Sequence, residues 1–117
     1  MFLPALFHWS PADRFQEIHQ KGLQPFSKPT ESASNFRASY ICLGTAPASA
    51  WHLSGATAWG EEIEEWDLWQ VSVADHHEVR VRTEQGPKII EVRVHTPISP
   101  GYLWYCGRKN VFLRSDH

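Results

Sequence analysis

The clearest pattern in the chain is the alternation of apolar and polar side chains between residues 88 and 95. Three apolar residues recur there with the two-residue period of a β-strand and form one continuous face: Ile90, Val92 and Val94. Glu91 falls on the opposite face together with Arg93, so its carboxylate is predicted to point away from the core. Most acidic side chains are simply solvated. A functional role for Glu91 therefore depends on what the rest of the chain supplies.

Two short helices are predicted in the first half of the chain. The first begins with Ser10 as its N-cap and Pro11 at the first helical position. It ends at Gly22, which supplies a left-handed stop. The second helix opens within residues 45–47 and ends before Gly55.

Strands are predicted around these helices and through the second half of the chain. The apolar or alternating runs that support them are residues 6–9, 39–43, 66–73, 78–83, 88–95 and 102–106. A long loop without periodicity covers residues 24–38, and a Gly86-Pro87 breaker separates two of the strands. With the helices early and most strands late, this order predicts a single α+β domain over residues 1–117 with a mainly antiparallel sheet.

Composition narrows the classes of function. The chain has 117 residues and a net charge of −2, so no global positive field would attract DNA or RNA and no basic nucleic-acid-binding surface is predicted. No stretch approaches the ~20 apolar residues of a membrane span. The opening residues also lack the basic region of a signal peptide, which favours a cytoplasmic protein without membrane contact. Cys42 and Cys106 lie in apolar runs and are interpreted as reduced, buried thiols.

Candidate site residues collect where the predicted strands end, a common place for binding and catalytic groups. His8 and Trp9 close the first strand just before the helix start. Tyr40 begins the strand that leads into the second helix, where Ser49 and Trp51 follow. With a glutamate on a late strand, this order of motifs resembles the ADP-ribosyltransferase superfamily. Within it, the chain is most similar to the His-Tyr-Glu branch that includes diphtheria-type toxins and poly(ADP-ribose) polymerases.

The resemblance implies a split β-sandwich fold and a reaction on NAD. Such an enzyme breaks the bond between nicotinamide and its ribose, then passes ADP-ribose to an acceptor or to water. The catalytic residues implied are Glu91, His8 and Tyr40. Glu91 would stabilise the oxocarbenium-like ribose of the transition state, and His8 would hydrogen-bond the ribose.

The resemblance also implies a set of residues that bind NAD: His8, Trp9, Ser10, Tyr40, Ser49 and Trp51. Trp51 would stack on the nicotinamide ring, whose positive charge suits the negative face of an aromatic group. Ser49 would hold the carboxamide, and the backbone of Trp9 would contact the nicotinamide. Each residue also has a plain structural explanation, since Ser10 is a helix cap by type and tryptophans usually belong to the core.

Two departures from the family pattern bear on the function. Trp9 stands where many relatives have glycine, so the backbone there is more crowded. Ile89 stands where arginine-modifying relatives have Gln or Glu, which disfavours arginine as the acceptor and leaves a protein, nucleic acid or small molecule open. A related branch, the RNA 2′-phosphotransferases, and a catalytically silent binding module for a nucleotide or protein are the alternatives. His52, His76, His77 and His95 lack ligand spacing, and no metal site is predicted.

Overall fold

The computed structural model of the protein describes residues 5–25, 40–53, 64–82 and 90–110. The strands within these ranges are β1 (Leu6–Pro11), β2 (Ile41–Gly44), β3 (Glu65–Val71), β4 (Val79–Arg82), β5 (Glu91–Val94) and β6 (Leu103–Asn110). The α-helices are α1 (Phe15–Lys21) and α2 (Pro47–Leu53), and single turns of 3-10 helix cover Ala12–Arg14 and Pro100–Tyr102. Neither described α-helix is long and apolar enough to cross a membrane. The prediction of an α+β domain with two short helices in the first half is confirmed.

All six described strands belong to one sheet in the order β4-β5-β2-β1-β3-β6, and every neighbouring pair is antiparallel. β1 pairs with β3 along its whole length, but it meets β2 at one residue pair, Phe7 opposite Gly44. The sheet therefore consists of two three-stranded halves, β4-β5-β2 and β1-β3-β6. We call the Phe7–Gly44 pair that joins them the sheet junction.

One face of the sheet carries the hydrophobic core. Val92 lies opposite Leu43, and Val94 lies opposite Ile41, so these four side chains share a face. The buried members of this core are Leu6, Ile18, Leu23, Ile41, Leu43, Trp69, Val71, Val92, Val94 and Ile98, with Ile90 packed against them. The apolar face predicted from the alternation in β5 is confirmed.

The second helix, α2, packs on the opposite face of the sheet across β1 and β2. Gly44 permits this approach, because a Cβ at this position would lie 2.5 Å from the amide nitrogen of Ala50 and 2.6 Å from its Cα. Gly44 pairs with Glu91 as well as with Phe7. The close contact between α2 and the sheet thus lies directly beside Glu91.

The predicted start of the first helix is wrong. Ser10 and Pro11 continue β1, where Ser10 lies opposite Asp67 and is 4% exposed. The regular helix begins only at Phe15, and no side chain caps the turn before it. Pairing with β3 along the full length of β1 outweighs a capping preference of about 1 kcal/mol. The predicted helix end is confirmed, since Gly22 follows α1 with a φ of 81°.

The remaining strands lie close to their predicted positions, although β6 extends further than expected, to Asn110. The second helix begins at Pro47, as predicted. Several predictions fall outside the described residues: most of the 24–38 loop, the 84–87 turn, Ile89 and the helix stop at Gly55.

The interpretation of both cysteines as buried thiols is wrong for Cys106. Both cysteines are free, but Cys106 is exposed and Cys42 is half-buried. The register between β3 and β6 shifts at Leu68 and Trp69, which leaves Cys106 without an opposite residue, and Gly107 adopts a φ of 134°. A bulge of this kind in the edge strand breaks the alternation on which the prediction relied.

We expect Gly44→Ala to lower the free energy of unfolding by about 1–3 kcal/mol, the usual cost of forcing extra volume into a packed interior. The atoms nearest the new methyl group belong to Ala50 and include its backbone. Relief would therefore require α2 to move away from the sheet. Chemical denaturation measures the change.

Gly101→Ala is the matched control, because a Cβ at Gly101 meets no described atom within 4 Å. Its effect should stay within about 0.5 kcal/mol. Equal stability of the Gly44 and Gly101 variants would contradict the packing of α2 described above.

Candidate functional site

Glu91 begins β5 and lies on the face opposite the hydrophobic core, as its alternation with Val92 predicts. The side chain is nevertheless covered, because the residue is only 8% exposed. Its strand neighbours β2, across which α2 packs on the same face. The interpretation of Glu91 as a solvated surface charge is therefore wrong.

The carboxylate of Glu91 is held by one donor on each oxygen. The thiol of Cys42 donates to Oε2 at 2.9 Å, and Nε of Arg93 donates to Oε1 at 2.6 Å. Cys42 and Arg93 lie opposite each other on β2 and β5. Burial raises the pKa of the Cys42 thiol, and the hydrogen bond to Glu91 raises it further. Cys42 therefore acts as a hydrogen-bond donor and not as a nucleophile.

His8 reaches Cys42 from the other half of the sheet. Its Nδ1 lies 2.9 Å from the main-chain oxygen of Cys42, and because a carbonyl only accepts, Nδ1 carries the proton. Burial lowers the pKa of His8, so the ring is neutral near pH 7 and Nε2 has a lone pair that can accept a hydrogen bond. His8 lies on the core face of the sheet, because it is opposite Trp69 in the pairing of β1 with β3. His8 and Glu91 therefore contact Cys42 from opposite faces, His8 at the main-chain oxygen and Glu91 at the thiol.

Tyr40 is linked to the same group through Arg93. The guanidinium carbon of Arg93 lies 4.2 Å from the centroid of the Tyr40 ring, a cation–π arrangement. The ring of His95 also lies beside Tyr40, with the centroids 5.8 Å apart. Three predicted site residues, His8, Tyr40 and Glu91, are therefore connected by Cys42 and Arg93.

Trp51 belongs to a different group of side chains. Its ring lies 5.1 Å from Trp9 and 5.7 Å from Trp66, centroid to centroid, and Nζ of Lys109 lies 4.2 Å from its centroid. These partners come from β1, β3 and β6, whereas Glu91 is held by residues of β2 and β5. Because α2 packs across β1 and β2, the structure divides the predicted site into one group around Glu91 and another around Trp51.

The other residues assigned to NAD binding have structural partners. The hydroxyl of Ser49 accepts from the amide of Ala46 at 3.1 Å and lies 3.0 Å from its carbonyl oxygen, which closes the first turn of α2. The indole nitrogen of Trp9 donates to the carbonyl of Pro47 at 2.9 Å. Ser10 is buried in β1. The contacts of Ser49 and Trp9 hold α2 in place, and a role in NAD binding stays a prediction for all three residues.

Sequence reasoning assigned no role to Cys42 or Arg93. Each lies two residues after a predicted site residue, Tyr40 or Glu91, and this spacing places each pair on one face of a strand. The sequence itself contains this two-residue spacing. The missing information was the register of β2 against β5, which sets Cys42 opposite Arg93 and which alternation alone does not specify.

The described part of the chain contains no group of three His, Cys, Asp or Glu residues that could hold a metal ion. The rings of His76 and His77 lie 4.1 Å apart beside Tyr102. Nδ1 of His77 accepts from the amide of Ala74 at 2.8 Å. These two histidines therefore pack as part of the turn before β4.

We expect His8 to make the protein less stable in acid. Burial lowers the pKa of His8 in the folded state, so the unfolded chain takes up this proton first. The contribution of His8 is complete above about pH 6.5, the ordinary imidazole value, and declines as the pH falls below it. His8→Gln cannot titrate, and its melting temperature should fall less steeply between about pH 7.5 and pH 5 than that of the wild type.

His52→Gln removes an exposed histidine of α2 and serves as the control. His77 adds its own acid sensitivity to every variant, because burial also lowers its pKa. If the melting temperature of His8→Gln fell as steeply as that of His52→Gln, the lowered pKa of a half-buried His8 would be contradicted.

Comparisons of the chain with protein-family models, with curated proteins and with solved structures find no match. The candidate site is thus defined by its own contacts: a buried carboxylate at Glu91, a neutral imidazole at His8 and an aromatic ring at Tyr40. Cys42 and Arg93 connect these three groups.

Proposed function

We propose that this chain is an NAD-using enzyme of the ADP-ribosyltransferase type, which releases nicotinamide and transfers ADP-ribose to an acceptor or to water. The observation that carries the proposal is the enclosed carboxylate of Glu91, which Cys42 and Arg93 hold close to the ring of Tyr40. The sequence resemblance assigns Glu91 to the ribose of NAD. The six described strands form one sheet, so the split β-sandwich that the resemblance implies stays a prediction.

The reaction explains why a carboxylate is needed at this place. The bond from ribose C1′ to the nicotinamide nitrogen breaks, and its electron pair leaves with the nitrogen, so that neutral nicotinamide departs. Positive charge then develops on the ribose, where the negative charge of Glu91 stabilises the transition state more than the ground state. An acceptor group or water attacks C1′ and loses its proton.

The other side chains of the group have roles that follow from their contacts. His8 lies on the core face and donates from Nδ1 to the Cys42 carbonyl, so the hydrogen bond to the ribose that the resemblance assigns to His8 stays a prediction. Cys42 and Arg93 fix the orientation of the Glu91 carboxylate. Tyr40 is favoured over Trp51 as the nicotinamide platform, since Arg93 connects Tyr40 to Glu91.

A catalytically silent nucleotide-binding module on the same fold is the second candidate. Two observations on Glu91 favour this candidate. Both carboxylate oxygens have hydrogen-bond partners within the chain, and the residue is only 8% exposed. A silent module would bind NAD without releasing nicotinamide. Turnover therefore separates the two candidates.

We expect Glu91→Gln to lower the rate of nicotinamide release by on the order of 10²-fold, while the Kd for NAD stays nearly unchanged. The amide keeps the size of the side chain but lacks the negative charge that acts in the transition state. Nicotinamide release and NAD binding should be measured on the same preparations, together with the melting temperature.

Glu78→Gln is the matched control, because both glutamates form an ion pair with the arginine two residues later, Arg80 in one case and Arg93 in the other. Glu78 is exposed, and its variant should keep the wild-type rate. If the Glu91 and Glu78 variants release nicotinamide equally fast, Glu91 has no catalytic role. If the wild type binds NAD and releases no nicotinamide, the silent module is the better account.

A further inference from the structure

Arg93 makes two contacts that together describe a binding site for a planar cation. Its Nε lies 2.6 Å from Oε1 of Glu91, and its guanidinium carbon lies 4.2 Å from the centroid of the Tyr40 ring. A buried carboxylate beside an aromatic face offers charge attraction and cation–π attraction to the same flat, positively charged group. In the folded chain that group is the guanidinium of Arg93.

The nicotinamide ring of NAD is also a flat cation. Under the proposed function it would lie against Tyr40 while its ribose contacts Glu91, the two groups that Arg93 contacts. Two positive charges so close together repel strongly in a covered site of low effective dielectric. Arg93 and a cationic ring therefore compete for one place.

We infer that Arg93 is an internal competitor of the substrate, and that its displacement sets the preference of the site between cationic and neutral rings. The inference rests on the proposed function, because it takes the Glu91 and Tyr40 group as the place where nicotinamide binds. With Arg93 in place, a positively charged ring must displace the guanidinium before it can stack. Without Arg93, the Glu91 charge is uncompensated and attracts such a ring directly.

Two other cations lie over aromatic rings in the described part of the chain, Lys109 and Arg108. Lys109 lies above the ring of Trp51 in the same way, with Nζ 4.2 Å from the centroid. In the sheet, however, Lys109 lies opposite Trp66 and not opposite Glu91. Arg93 contacts both an aromatic face and the proposed catalytic group. Arg108 also lies near a ring, that of Phe15, but it pairs with Asp67. Of these three described cations, Arg93 alone links an aromatic ring to Glu91.

Arg80 on the neighbouring strand has little influence on Arg93. Arg80 lies directly opposite Arg93 in the pairing of β4 with β5, and like charges at opposite positions of a sheet destabilise each other. Arg80 is paired with Glu78 at 3.3 Å. Because Arg80 is exposed and paired with Glu78, its repulsion of Arg93 is largely screened, and Arg93 is held by Glu91 and Tyr40.

The test compares two probes that differ chiefly in charge, 1-methylnicotinamide, which is a cation, and nicotinamide, which is neutral. Affinities for the wild type, Arg93→Gln and Arg93→Lys are measured by quenching of tryptophan fluorescence or by calorimetry. Arg93→Gln should raise the preference for the cation over the neutral ring by at least about tenfold, because the repelling charge is gone. Arg93→Lys keeps the charge and should stay within about threefold of the wild type.

Two further variants serve as controls. Arg80→Gln removes a charge from the position opposite Arg93 without removing a contact to Tyr40 or Glu91, and it should change the preference by less than about twofold, since exposed charges are screened. If Lys109→Gln raises the preference for the cation and Arg93→Gln does not, the platform is Trp51 and the inference is overturned.

A measurement on the wild type guards against a variant that fails to fold. The 1H–15N signal of the Arg93 Nε–H group should shift saturably with 1-methylnicotinamide, because its hydrogen bond to Glu91 is broken. An unchanged Arg93 signal at saturating probe would overturn the inference, as would failure of both probes to bind the wild type and the Arg93 variants.

Release of nicotinamide from NAD, assayed separately, distinguishes this inference from the proposed function. If no nicotinamide is released but Arg93→Gln raises the preference for the cation, catalysis fails and Arg93 is still the internal competitor. If nicotinamide is released and Arg93→Gln leaves the preference for the cation unchanged, the proposed enzymatic activity is supported and the role of Arg93 is overturned.

Discussion

The sheet junction is the contact on which the rest of the structure depends. Phe7 and Gly44 are the one registered pair between the two halves of the described sheet, and Gly44 also carries the close packing of α2 through Ala50. The same glycine lies opposite Glu91 on β5. A small residue at this one position therefore lets a helix cover the joint and enclose the carboxylate next to it.

Enclosing a carboxylate costs free energy unless donors replace the water that it loses. Glu91 has a thiol donor from Cys42 and a charged donor from Arg93, one for each oxygen. The network extends to His8 through the Cys42 carbonyl and to Tyr40 through the face of its ring. Charge, hydrogen bonding and the sheet junction thus act at one place in the fold, and this coincidence motivates the proposed chemistry.

The sequence predicts those features that depend on local geometry. The apolar face of β5, with Val92, follows from alternation, and the end of α1 at Gly22 follows from the positive φ that glycine allows. The start of α1 could not be predicted in this way, because Ser10 pairs with a residue of β3, a strand far along the chain. The sequence predicts only part of the network around Glu91. Cys42 and Arg93 lie on the right faces of their strands, but the register that sets them opposite each other is a property of the folded sheet.

The most direct test is a crystal structure with a carbocyclic analogue of NAD, in which the bond to nicotinamide cannot be cleaved. We expect a ribose hydroxyl within about 2.6–3.2 Å of the Glu91 carboxylate. The nicotinamide ring should lie over Tyr40, with the guanidinium of Arg93 moved away from it. An analogue bound with its nicotinamide and ribose away from both Tyr40 and Glu91 would contradict the assignment of this group as the NAD site.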